Sequence, residues 1–244
     1  MARTPPRISS FDLRPGRVLA GKYVVEDKLG GGWEGEVYRV VENRTGIHRA
    51  AKLFFPQRNV RDKAVTFYAK KLERLRTCPI VIQYMHSETV RHRGVPVTCL
   101  ISEYVDGELL CNFLKRQPGK RLQPFEALHM VYALACGLEC IHRAREYHGD
   151  LHDENVFVNR RGIFFEVKIL DFYQWGAPTA AHYREDVANL IRILYDAVGG
   201  RKRYGQQPPE IKAVCRGLRR DLTGRTFPTA RHLREYLESF RWEW

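Results

Sequence analysis

Residues 30–37 read Gly30-Gly31-Gly32-Trp33-Glu34-Gly35-Glu36-Val37, a fit to GxGxxGxV. Apolar and polar residues alternate on both sides of it, which is the period of a strand. A dinucleotide-binding fold requires a helix straight after such glycines, and none is signalled here. The loop therefore reads as the tip of a hairpin, either one that lies over phosphates or a plain tight turn. Outward from it, residues 23–53 predict three strands joined by Gly-punctuated turns. Val65, Tyr68, Ala69, Leu72 and Leu75 then fall at helical spacing, so residues 63–75 predict one amphipathic helix ending before Pro79. Strand-like runs follow at 81–88 and 95–104, while residues 1–16, with tandem prolines and no apolar period, read as a loosely held arm.

Past residue 108 the pattern is mainly helical. Residues 124–145 are apolar on most of their circumference, the mark of a helix in the middle of a core. Further helical stripes occupy 186–198, 211–218 and 233–240, with a β-like stretch between 155 and 172. The reading is an α+β chain with the flexible arm at 1–16, a β-rich lobe with one helix at 17–106 and a mainly helical lobe at 107–244.

The 244 residues carry 41 Lys+Arg against 28 Asp+Glu, a net charge of +13, and 44% are hydrophobic. Collagen, disordered tails and stapled mini-proteins are excluded. Six cysteines without a CxxC pair read as reduced thiols of a cytoplasmic protein. Neither a secretory leader nor a run of eighteen apolar residues is found, so no membrane span is expected. The charge leaves nucleic acid, a membrane surface and an acidic or phosphate-rich partner open. No nucleic-acid recognition motif accompanies it.

Chemistry concentrates in a few places. Lys52 stands on a half-buried strand, where an ammonium needs an anion; Glu73, the only carboxylate in the predicted helix 63–75, is the obvious partner. His148-Gly149-Asp150-Leu151-His152-Asp153-Glu154-Asn155 sets a carboxylate and an amide five residues apart, and Asp171 follows sixteen residues beyond Asn155. A hard divalent cation such as Mg²⁺ takes oxygen ligands of this kind. Asn155 and Asp171 supply the pair, leaving Asp150 to accept a proton from an attacking hydroxyl.

In this order the motifs resemble the protein kinase-like superfamily, specifically the catalytic domain of bacterial eukaryotic-like Ser/Thr kinases, over roughly residues 17–241. The resemblance implies a bilobal fold with the lobes above as N- and C-lobe. It implies an ATP- and Mg²⁺-dependent phosphotransferase, with catalytic residues Asp150, Lys52, Glu73, Asn155 and Asp171. Gly30, Gly32 and Gly35 would cover the phosphates that Lys52 contacts. Val37, Ala50 and Phe157 would sandwich adenine, and backbone groups of Glu103 and Val105 would bond it. Ser102 falls at the gatekeeper position, and Asp186 matches the buried aspartate that anchors the catalytic loop.

The chain also departs from the pattern. Gly149 replaces the HRD arginine and His152 the lysine after the catalytic Asp, a spelling similar to aminoglycoside-phosphotransferase-like kinases. DFG becomes Asp171-Phe172-Tyr173, and only fourteen residues separate Asp171 from Asp186, too few for a full activation segment. The first expectation is a Ser/Thr protein kinase with a short activation segment. The alternatives are a small-molecule kinase and a nucleotide-binding pseudokinase scaffold. Arg201, Lys202, Arg203, Arg219, Arg220 and Arg225 would suit an acidic acceptor.

Overall fold

The computed structural model describes residues 7–162, 164–172 and 176–240. Residue contacts divide the chain into two compact units, Met1–Arg76 with Ile82–Val105, and Thr77–Val81 with Asp106–Trp244.

The first unit holds β1 (Val18–Leu19), β2 (Tyr23–Gly31), β3 (Gly35–Glu42), β4 (His48–Phe54), α1 (Lys63–Arg74), β5 (Tyr84–His92) and β6 (Val95–Glu103). The strands form one antiparallel sheet ordered β1-β2-β3-β4-β6-β5. Cross-strand partners share a face. Tyr38 opposite Ala51 and Ala51 opposite Ile101 put these residues on one face, with Val40 and Leu53, in a buried core. Val37 opposite Lys52 and Ala50 opposite Ser102 place those four on the other face. The two-residue period that predicts strands thus also sorts core from candidate site. Residues 81–88 were expected to form a strand; pairing with β6 begins only at Tyr84, and Val81 instead bridges Ile169 in the second unit.

The expected loose arm is not observed for residues 7–16. Phe11 is buried and stacks on Phe55 with ring centroids 5.2 Å apart. Its N–H donates to Glu36 Oε2 at 3.1 Å, Leu13 N–H donates to the Tyr38 hydroxyl at 3.2 Å, and Gly16 N–H to Val25 O at 2.8 Å. Gln57 fastens the other end, donating to Ile8 O at 2.6 Å and accepting from Ile8 N–H at 3.2 Å. Residues 7–16 are therefore a strap over the sheet's core face. A single aromatic residue among polar neighbours carries no period, which is why the sequence pattern misses it.

The second unit holds β7 (Glu108–Leu109), α2 (Leu110–Arg116), α3 (Pro124–Arg143), β8 (Val156–Arg161), β9 (Phe164–Ile169), α4 (Ala180–Ala197), α5 (Gly200–Arg203), α6 (Pro209–Cys215), α7 (Arg220–Thr226) and α8 (Ala230–Glu238). Pro124 opens α3, where its missing N–H is harmless, and Glu126 accepts the Gln123 N–H at 3.0 Å. Among the described residues α3, 20 residues long, alone is long and apolar enough to cross a membrane, with mean hydropathy 1.2 over an 18-residue window. Its apolar girth is used inside the unit, against α4, α8 and β9. Arg234 of α8 closes that packing with a 2.5 Å bond to Glu139.

Several expected boundaries shift. Helix α4 starts at Ala180 rather than 186, because Thr179 caps it through the His182 N–H. The helix expected over 211–218 stops at Cys215, where Arg216 and Gly217 turn left-handed at φ 46° and 63°. The cysteines are not all thiols: Cys78 and Cys140 form a disulfide with Cα atoms 5.7 Å apart, fastening segment 77–81 to α3. Ile169 N–H donating to Ile80 O at 2.7 Å ties the same segment to β9.

Candidate active site

In the first unit, the Gly32 N–H donates to Gly35 O at 2.9 Å and closes the β2–β3 hairpin that the glycine motif predicts. Gly35 cannot be replaced without rearrangement, since a Cβ there would stand 1.9 Å from Leu53 O. Lys52 is 9% exposed. Its ammonium lies 3.3 Å from Glu34 Oε2 and 5.1 Å from the ring centroids of both Phe54 and Tyr68. Glu73, expected as the partner of Lys52, is instead 56% exposed and bonded to Arg76 at 3.3 Å. The cause is helical geometry: Tyr68 faces Lys52, and five residues further on the side chain points about 140° away around the helix. Val37, Ala50 and Ser102 lie on the same sheet face as Lys52. The Glu103 N–H is taken by Gln83 O at 2.8 Å, and the half-buried Val105 ends the unit.

In the second unit, Asp186 of α4 is fully buried. Its carboxylate accepts the N–H groups of Gly149 at 2.7 Å and His148 at 2.8 Å, and lies 3.1 Å from His142 Nε2. Burial alone would raise its pKa, but the bonds from His142, Gly149 and His148 outweigh it and hold the pKa below the usual carboxylate value. His148 is buried too; its Nε2 donates to Leu170 O at 2.7 Å, and its Nδ1 accepts the Asp150 N–H at 3.2 Å. The bonds require the neutral Nε2–H tautomer. Gly149 sits at φ 81°, a conformation glycine adopts without strain and a long side chain does not. Loop 148–150 is thus fixed from both sides while the Asp150 side chain stays 70% exposed.

Asn155 and Asp171 come together through strand pairing. Val156 opposes Ile169, and the Leu170 N–H donates to Asn155 O at 2.9 Å, so the two residues leave neighbouring strand ends. Asn155 Nδ2 donates to Asp150 O at 2.9 Å and lies 3.0 Å from His152 Nε2. Among the described residues no hydrogen bond of Asn155 uses Oδ1. Asp171 adopts φ 60°, and Phe172 next to it is buried with its ring 4.9 Å from that of His148. Tyr173 lies outside the described residues. One carboxylate and one amide oxygen on adjacent strand ends fit Mg²⁺, which keeps several waters. Phe157 is half-buried, on the opposite face of β8 from the buried Val156 and Val158.

Sequence reasoning did not find Glu34, Tyr68 or His142. Only Glu34 had a signal, its place inside the glycine motif.

The protein kinase domain family matches residues 23–187, more than half of the 244-residue chain. The serine/threonine-protein kinase pkn2 of Myxococcus xanthus is 30% identical over 158 residues, 64% of this chain and 18% of that protein. PknA of Mycobacterium tuberculosis, also a serine/threonine-protein kinase, is 27% identical over 219 residues, 78% of this chain and 50% of that protein. The chain spans half or less of the length of these curated relatives. The crystal structure of a double mutant of the Mycobacterium tuberculosis PknI kinase domain superposes with a TM-score of 0.63 and 21% identity, covering 93% of this chain and 97% of that one. That likeness shows the fold, an α+β bilobal kinase fold with a strand-rich N-terminal region. On the matched family residues, the chain belongs to the protein kinase domain family.

Proposed function

We propose that the chain is an ATP- and Mg²⁺-dependent phosphotransferase that moves the γ-phosphoryl group of ATP to a Ser or Thr hydroxyl of a protein. The observation that carries the reading is the loop held by Asp186. Two backbone N–H bonds and the His148 tautomer fix its course, yet the Asp150 carboxylate is left at the surface, where an acceptor hydroxyl can reach it. Asp150 orients that hydroxyl and takes its proton as the new O–P bond forms and the bond from the γ-phosphorus to the β,γ-bridging oxygen breaks, releasing ADP. Asn155 Oδ1 and the Asp171 carboxylate are the groups that would hold Mg²⁺, which supplies charge neutralisation on the β- and γ-phosphates. Lys52, on the sheet face with Val37 and Ala50, would contact the α- and β-phosphates, with adenine against Val37 and Ala50 and bonded by the backbone of Glu103 and Val105.

A small-molecule acceptor is the second reading. It is favoured by Gly149 and by the nearness of α4 to Asp171: residues 177–179 of the short activation segment end in the cap of that helix, which begins at Ala180. An acidic acceptor would suit α5, where Arg201, Lys202 and Arg203 are exposed; on α7, Arg220 is already paired with Glu185 at 3.1 Å.

The test offers γ-labelled ATP and Mg²⁺ with generic basic and acidic protein acceptors, and separately with hydroxylated small molecules. Label on protein supports the first reading and label on small molecules alone the second. MgATP binding with no transfer to any acceptor, water included, makes the chain a pseudokinase and refutes both.

A further inference from the structure

We propose that Glu34, on the glycine-rich hairpin, is the residue that positions Lys52, in the role no carboxylate of α1 fills; the inference rests on the phosphotransferase reading above. Helix α1 has a single carboxylate, Glu73, which is exposed and held by Arg76. The helix meets Lys52 with Tyr68. An aromatic face stabilises an ammonium without directing its hydrogens. The Glu34 carboxylate, 3.3 Å from Lys52 Nζ, does direct them.

The contact is built into the backbone. Glu34 O accepts the Phe55 N–H at 2.8 Å, and the next residue, Gly35, pairs with Phe54. Glu34 is therefore anchored to Phe55, just past the end of β4 and three residues beyond Lys52. The two side chains are 13% and 11% exposed, so solvent screens the pair less than a surface ion pair. Lys52 itself is held by its register with Val37 and Leu100. Lys52 thus belongs to the β3–β4 ladder, and Glu34 immediately precedes β3 and is bonded to the backbone just past β4. The consequence is that the Glu34 carboxylate beside Lys52 moves with the phosphate-covering hairpin and not with α1.

The test uses the full chain as wild type, Glu34→Gln, Glu34→Asp, Glu73→Gln and Lys52→Ala, with kcat and KM for ATP from phosphoryl transfer. Kd for MgATP comes from a fluorescent ATP analogue, and Tm checks folding. Glu34→Gln is expected to lower kcat/KM for ATP about tenfold or more and to weaken MgATP binding several-fold, with Tm unchanged. Glu34→Asp restores part of both, and Glu73→Gln stays within about twofold of wild type. Wild-type kinetics in Glu34→Gln, tighter MgATP binding in it, or a loss in Glu73→Gln equal to that of Lys52→Ala overturns the proposal. If the wild type transfers no phosphate, the phosphotransferase reading fails by itself. The MgATP Kd of Glu34→Gln then decides, weakened binding supporting the role and unchanged or tighter binding refuting it.

Discussion

Asp186 and Gly149, 37 residues apart, are joined by a 2.7 Å bond from the Gly149 backbone N–H to the Asp186 carboxylate. The other carboxylate oxygen takes the His148 N–H, so one buried side chain sets the backbone on which Asp150 sits. Asp186→Ala leaves both N–H groups without their acceptor, and the expected loss of stability is about 3–5 kcal/mol. Chemical denaturation measures it. The depressed pKa of Asp186 fixes the pH response. Its contribution is fully present above the ordinary aspartate range near 3.8 and is lost as pH falls through the lower folded-state value. Wild type should therefore lose stability in acid more steeply than Asp186→Asn.

The strap rests on Glu36, which is buried and bonded by Lys28, the Tyr38 hydroxyl, Ser10 and the Phe11 N–H. Burial opposes its ionisation, but these bonds prevail and lower its pKa to about 2. The stabilisation is complete above the usual glutamate value of 4.5 and disappears as pH falls towards 2. Phe11→Ala should cost about 3 kcal/mol. Hydrogen exchange should then show residues 7–16 losing protection before the β-sheet does.

Across a sequence separation of 62, the Cys78–Cys140 bridge restricts the unfolded chain, an effect of about 4 kcal/mol in the chain-entropy account. Paired Cys78→Ser and Cys140→Ser substitutions should lower Tm by about 10 °C under non-reducing conditions. With a strong thiol reductant present, wild type and variant should melt within a few degrees of each other, which calorimetry can check.

What the sequence revealed followed from periodicity. Strands β2 to β4, helix α1 and the central helix α3 repeat every 2 or 3.6 residues, and Lys52 stands out as a charge on such a strand, whereas Asp150, Asn155 and Asp171 stand out by their order and spacing in the stretch after α3. Glu34 was hidden because the sequence names the only carboxylate of a helix but not the side of the helix it occupies. Helical rotation put Tyr68, not Glu73, against Lys52. Phe11 and the Cys78–Cys140 bridge were hidden for another reason: each depends on a contact between distant residues that no local pattern encodes. His142 sits at the end of an apolar helix, and only the fold brings Asp186 within 3.1 Å of it.

The central claim is that Asp150 accepts the proton of the attacking hydroxyl, and Asp150→Asn tests it most directly because it removes the base while keeping the side-chain shape. Single-turnover transfer from γ-labelled ATP should fall by about 10²–10⁴-fold, while Kd for MgATP and Tm remain those of wild type. Transfer by Asp150→Asn at the wild-type rate would contradict the account.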